Sequence, residues 1–277
     1  MCRLLGYVAE RPASVTDLLG TAYAADFAAL TRVHGDGWGM AWRGADGRIA
    51  TERAPQSAAS DPDYHRLVEA ELAQIGLVHL RWATDGLEVG LENTHPFSDG
   101  ELALAHNGSI SPIARIDGLL TPASREHLRG DTDSERYFQF LRQSVAEATD
   151  TDAGVRSGIS ILADAFPAAS LNAILLAPDA MYVVHVNSGA RAPIDDLRIL
   201  LRDEPPPAGH ATAYFEMAYR VTPTSVVVAS SGLVGSDWQP VPPDSVIRIG
   251  RCDREVSALW QRSGHEAPAG RPSSATR

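Results

Sequence analysis

Met1-Cys2-Arg3-Leu4-Leu5-Gly6 opens the chain, and the residue in second place governs how the remainder reads. Cysteine is small enough for an aminopeptidase to remove Met1, which would leave Cys2 carrying a thiol and a free α-amine. The thiolate is the nucleophilic form, and a free cysteine has a pKa of about 8.5. An α-amine titrates at about 7.7–8.0, so a neutral one can take the thiol proton near neutral pH. A nucleophile beside its base is the activation logic of covalent catalysis. By position alone the simpler reading is a small apolar residue heading a buried strand.

The bulk numbers narrow the class. With 277 residues, 44% hydrophobic and 21% charged, the composition is that of a globular protein with a sizeable core. Twenty-four basic against 35 acidic residues give a net charge of −11, which argues against nucleic acid as the main partner. No apolar run approaches the roughly 18–20 residues of a membrane span. The N-terminus lacks a signal peptide's basic start and apolar core. Two cysteines cannot build a disulfide framework. A cytoplasmic, reduced protein is expected, with no membrane or nucleic-acid partner.

Outward from Cys2, Arg3 to Ala9 reads as a buried strand. Ser14 is a helix cap with Asp17 three residues on. His34-Gly35-Asp36-Gly37-Trp38-Gly39 marks a tight loop or close backbone approach. It leads into a strand at Met40–Trp42 that Arg48–Arg53 can pair with. Asp61-Pro62 starts a helix over about 63–72. Residues 75–83 form a strand with His79 and Arg81 interleaved among apolar positions. A loop over 87–100 and a strand over 102–105 follow. Helices are expected at 135–147 and 155–166. Strands are expected at 173–177, 181–186, 213–219, 226–229 and 246–249. Residues 202–209 read as an exposed turn-rich insertion. The order of strands, two helices and strands again suggests two packed sheets with helices outside, an α+β protein. One domain is expected over 1–262, with a disordered tail over 263–277.

Four clusters bear on Cys2. Arg81-Trp82-Ala83-Thr84 ends a strand; its guanidinium can clamp a carboxylate in a two-pronged fork, with Thr84 adding a hydroxyl, or can pair with an ordinary glutamate. Asn107-Gly108 can converge an amide side chain and a backbone N–H on a developing oxyanion, or form a plain hairpin turn. Asp133 can hold a substrate ammonium or cap a helix. Asn93-Thr94-His95-Pro96 can shape a pocket rim or form a rigid loop. The nine histidines show no zinc spacing, and no metal or cofactor is expected.

The order of these motifs is more specific than any one of them. Cys2, Arg-Trp-Ala-Thr, Asn-Thr-His-Pro-Phe, His-Asn-Gly and Thr-Asp-Ser-Glu together resemble the glutaminase domain of the class II glutamine amidotransferases. These belong to the N-terminal-nucleophile hydrolases, and the resemblance implies their four-layer α-β-β-α sandwich. It further implies that Cys2 is the nucleophile and that Asn107 and Gly108 form the oxyanion hole. Arg81 and Thr84 would bind a glutamyl α-carboxylate and Asp133 its ammonium, with Trp82, His95 and His106 around the pocket. The glycine-rich run at 34–39 is similar to the stand-alone branch that includes the ergothioneine-pathway γ-glutamyl amidohydrolase.

The expected activity is a cysteine amidohydrolase that cleaves the γ-amide of glutamine or a γ-glutamyl compound through a thioester on Cys2. Two alternatives are a glutaminase subunit supplying ammonia to a separate synthase chain, and an inactive binding domain.

Overall fold

The inner strands of the two sheets are buried on both faces, and the side-chain alternation decides which layer each residue joins. The computed structural model describes residues 2–83, 88–201, 205, 210, 212–233 and 235–262. The expectations for Thr84, for the tail over 263–277 and for most of 202–209 fall outside them. In the first half, β1 (Arg3–Ala13) is followed by α1 (Val15–Leu19) and α2 (Thr21–Ala29). Next come β2 (Trp38–Arg43), β3 (Ile49–Ala54), α3 (Pro62–Ala70) and β4 (Ala73–Leu80). Short strands β5 (Phe97–Ser98) and β6 (Ala103–His106) precede α4 (Ile113–Asp117) and α5 (Pro122–Glu126).

Two long helices, α6 (Asp133–Glu147) and α7 (Thr151–Ala165), lead to β7 (Ala173–Leu176), β8 (Ala180–His185) and α8 (Ile194–Leu201). The chain closes with β9 (Met217–Val221), β10 (Ser225–Ser230), β11 (Gln239–Pro240), β12 (Ser245–Gly250) and β13 (Val256–Gln261).

The strands form two antiparallel sheets. One has seven strands in the order β11-β9-β10-β1-β4-β2-β3, the other six in the order β13-β12-β8-β7-β6-β5. Leu4, Val8, Ile75 and Leu77 of the first meet Ala105, Ile174, Met181 and Val183 of the second in an apolar middle layer. On the outer face of the first sheet, Leu5, Tyr7, Val78 and Leu80 pack on Val15, Leu19, Phe27, Tyr64 and Leu67 of α1, α2 and α3. On the outer face of the second, Leu104, Leu175 and Val184 pack on α6 and α7 through Tyr137, Leu141, Val155, Ile159 and Leu162. The result is the α-β-β-α sandwich.

Local chemistry starts the helices. The Ser14 hydroxyl accepts from Asp17 N, and Asp61 accepts from Asp63 N ahead of a proline. The same Asp61 takes the buried Trp38 indole N–H at 2.8 Å, tying α3 to β2. Thr132 caps α6 by accepting from Glu135 N, so Asp133 is the first helical residue and not the cap.

The strand expected at 213–219 begins only at Met217. Tyr214 is drawn out of it, because its carbonyl accepts from the Arg3 guanidinium and its ring lies 4.2 Å beneath that cation. Several elements carry too little periodicity to be read from sequence. In α2 the only buried side chain is Phe27, and β13 is an edge strand with no fully buried residue. No helix among the described residues is long and apolar enough to cross a membrane.

Candidate active site

Alternation along three strands brings the chemistry to one place. On β1, Leu4 and Val8 face the middle layer and Leu5 and Tyr7 the outer one. With a two-residue period, Cys2 joins the inner face and Arg3 the outer. On β4, Ile75 and Leu77 face inward, so His79 does too, and Arg81 continues the series just past the strand's end. On β6, Ala103 and Ala105 face inward and Leu104 outward. Asn107 therefore turns toward Cys2, and His106 toward the helices. Arg3 is paired with Leu80 in the β1–β4 register, which sets the start of β1 beside the end of β4.

Cys2 N donates to Asn107 Oδ1 at 2.9 Å, and Cys2 Sγ lies 3.9 Å from the Trp82 carbonyl. Asn107 is fully buried and its main chain is held on both sides: its N–H donates to Asn172 O at 2.7 Å, and its carbonyl accepts from Ser170 Oγ at 2.9 Å. Its remaining donor, Nδ2, is buried with no hydrogen-bond partner among the described residues. A buried amide N–H without an acceptor is costly, so the fold holds a donor in reserve here.

Asn107-Gly108 is not a hairpin turn, because β6 pairs with β5 and β7 and the chain continues into α4. A Cβ at position 108 would stand 2.0 Å from Ser170 O and 2.6 Å from His106 Nε2, so only glycine lets the backbone pass. His106 Nε2 lies 2.8 Å from Ser170 O and Nδ1 lies 2.8 Å from Ser134 Oγ. Nε2 therefore carries the proton to that carbonyl, and Nδ1 accepts from the hydroxyl. Burial lowers the His106 pKa, against the opposing influence of Asp133, and keeps the ring neutral.

Arg81 is buried, and its hydrogen bonds run to main-chain carbonyls, those of Asp36 at 3.4 Å and Glu88 at 3.3 Å. Burial lowers its pKa, while Cys2 and Asp36 favour its charge. The Asp36 carboxylate accepts from Ala83 N at 2.8 Å and so pins the segment after Arg81. Asp133 is half-buried; it accepts from Ile110 N at 2.5 Å through Oδ2 and from Ser134 N at 2.9 Å through Oδ1. Both Asp133 and Cys2 act electrostatically on His106.

His95 stacks on His79 with ring centroids 4.3 Å apart. Gly39 allows this: it is paired with His79 in the β2–β4 register, and a Cβ there would stand 2.0 Å from His95 O. Burial, with the Arg81 charge second, holds the His79 pKa down to about 3. Burial and the neighbouring His79 lower that of His95 well below its ordinary value.

A second group was not found from sequence. Arg3 Nε lies 3.1 Å from both His34 Nε2 and His210 Nε2, which are 3.0 Å from each other. Nothing in the spacing of positions 3, 34 and 210 signals this cluster, since three separate segments build it. The only hint was a charged residue in an apolar strand. A cavity of about 490 Å³ is lined by Arg53, Glu92, Arg129, Glu135 and Arg142 among others, and includes none of Cys2, Arg81, Asn107 and Asp133.

The family model described as class-II glutamine amidotransferases matches residues 1–267. The chain belongs to the class-II glutamine amidotransferases. This family member is 28% identical over 266 residues to the putative glutamine amidotransferase YafJ of Escherichia coli K12, covering 88% of this chain and 95% of that one. It is 35% identical over 141 residues to glutamine–fructose-6-phosphate aminotransferase of Mycolicibacterium smegmatis, covering 49% of this chain but 21% of that protein. Against such aminotransferases, then, it spans about a fifth of the relative's length. In structure it resembles glutamine phosphoribosylpyrophosphate amidotransferase of B. subtilis, with a TM-score of 0.61 at 14% identity over 94% of this chain and 50% of that one. That likeness speaks to the fold alone.

Proposed function

We propose that this amidotransferase hydrolyses the γ-amide of glutamine or of a γ-glutamyl compound, with Cys2 as nucleophile. The observation that carries the reading is Asn107, whose oxygen holds the Cys2 nitrogen while its Nδ2 waits unpartnered in a buried site. With Met1 removed, that nitrogen is an α-amine. The bond to Asn107 Oδ1 takes one N–H and leaves the lone pair for the thiol proton. The thiolate then adds to the γ-carbonyl carbon, and the oxygen that becomes negative is met by Asn107 Nδ2 and the Gly108 N–H. Collapse breaks the C–N bond, the protonated amine gives its proton to the departing ammonia or amine, and a γ-glutamyl thioester remains on Cys2. Water, deprotonated by the same amine, cleaves the thioester, releases the acid and restores the thiol.

The head group needs one fixed cation and one fixed anion. Arg81 suits the α-carboxylate because, among the described residues, its fork is engaged by long bonds to neutral carbonyls. Asp133 suits the ammonium, with Thr84 as a further carboxylate contact. Trp82, His95 and His106 wall the pocket. The likeness to glutamine–fructose-6-phosphate aminotransferase supports a second reading, in which ammonia passes to a separate synthase chain.

Intact mass before and after 6-diazo-5-oxo-norleucine tests the proposal. The expected result is a chain lacking Met1 that gains one adduct, mapped to Cys2. An unmodified Cys2 together with no glutamate released from glutamine or γ-glutamyl peptides overturns it.

A further inference from the structure

His79 and His95 present a problem that the hydrolase reading does not solve. Both are buried, His79 completely, and neither nitrogen of either ring has a hydrogen-bond partner among the described residues. A backbone group of His106 lies near enough to His79 to favour its protonation slightly, but makes no hydrogen bond of normal geometry. Two imidazoles stacked in an apolar layer with four idle nitrogens are poorly accounted for as packing, since buried polar atoms are ordinarily satisfied. The third polar atom in reach is the Cys2 sulfur. One ligand atom from each of Cys2, His79 and His95 falls within 4.8 Å of the other two.

We propose that Cys2, His79 and His95 form a three-ligand site for zinc(II). One thiolate and two neutral imidazoles are a donor set for zinc and not for magnesium or calcium, which take oxygen ligands. Zinc–sulfur and zinc–nitrogen bonds of about 2.3 and 2.0–2.1 Å in a tetrahedron put the ligand atoms roughly 3.3–3.6 Å apart. The three atoms must therefore draw in by at most about 1.2–1.5 Å. The sulfur is free to make that movement, because its hydrogen bond in the structure is a long one to the Trp82 carbonyl.

Binding replaces the thiol proton with the metal: the S–H bond breaks, the sulfur keeps the electron pair and bonds to zinc, and the proton leaves to solvent. No oxidation is involved, and water takes the fourth position. No sequence spacing announces the site, since its ligands come from the head of β1, the end of β4 and the loop that Gly39 admits. If Cys2 is also the nucleophile, the bound zinc silences it; the metal site itself does not depend on that reading.

The test uses the full chain carrying Cys252→Ser, which removes the exposed second thiol, and cobalt(II) as a spectroscopic probe. Titration without oxygen should saturate at one cobalt per chain, with a sulfur-to-cobalt charge-transfer band and tetrahedral visible bands that one equivalent of zinc abolishes. Zinc should slow alkylation of Cys2 by iodoacetamide at least about tenfold. The further change Cys2→Ala should remove the charge-transfer band, and His95→Ala should weaken binding by about tenfold or more.

If His95→Ala fails to fold, the Cys2→Ala spectrum and the alkylation rates still decide. Cobalt bound without a thiolate band, an affinity unchanged in Cys2→Ala, or alkylation equally fast with zinc overturns the proposal. Labelling by 6-diazo-5-oxo-norleucine in metal-free buffer is independent of all three outcomes, so a failure here is distinct from a failure of the hydrolase reading.

Discussion

Asn107→Leu separates catalysis from folding at the residue on which the mechanism turns. Leucine keeps the branch of the asparagine side chain but removes both its oxygen and its nitrogen. Two stability effects then oppose each other. The Cys2 N–H loses its acceptor, and an unsatisfied buried group costs about 1–3 kcal/mol. The buried Nδ2, which has no partner, disappears, and relief of that orphan returns about 1–3 kcal/mol. The net change should lie within about 2 kcal/mol, or about 4–8 °C in Tm for a chain of this size. Activity has no such compensation. Loss of one oxyanion donor lowers kcat by about 10²–10³, equivalent to about 2.7–4 kcal/mol, and the amine also loses its anchor. Thermal unfolding and glutamate release from saturating glutamine measure the two sides. A kcat within about tenfold of the parent refutes the oxyanion role, and a Tm lowered by more than about 10 °C makes Asn107 chiefly a structural residue.

Inserting one glycine between Met1 and Cys2 keeps the thiol but turns the Cys2 nitrogen into an amide; turnover should fall by about 10²–10⁴. Full activity in a folded, processed and alkylatable insertion variant would remove the α-amine from the mechanism. Arg81→Lys keeps one charge and loses the planar fork, so KM for glutamine should rise with circular dichroism unchanged; an unaltered kcat/KM removes Arg81 from the site.

Asp244 gives a pH prediction. Burial acts to raise its pKa, but bonds from the Ser188 hydroxyl and from the N–H groups of Ser188 and Asn187, with the Arg262 charge, bring it below the ordinary value. A depressed folded pKa means stability that is fully present above the unfolded value of about 3.9 and is lost as pH falls through the folded one. Asp244→Asn should therefore unfold at lower urea than the parent at pH 7, and the two should converge in acid. A gap that persists undiminished in acid contradicts this.

What sequence could and could not show follows from range. Ser14, Asp61 and the strands of the middle layer were legible because caps and alternation act within a few residues. The order of Cys2, Arg81, Asn107 and Asp133 was legible because each stands at the head or end of an element, where local motifs survive. The His79–His95 stack was not, since it depends on a missing Cβ at Gly39 in a third segment. The Arg3–His34–His210 cluster was not, since three segments meet there only through the tertiary fold. Tyr214 shows the cost of ignoring such contacts: its apolar neighbours read as a strand, and a distant arginine prevents it.

The place of β1 also sets a clock on synthesis. Leu5 is paired with Val78 on one side and with Ala229 on the other. At roughly 5–20 residues per second, a ribosome delivers Ala229 on the order of 10–45 s after Cys2. Through that interval the strand bearing the thiol has an open edge, and Leu4 N lacks the Ser230 hydroxyl that it later bonds at 2.9 Å. Arrival of β10 closes that edge and completes the sheet around β1.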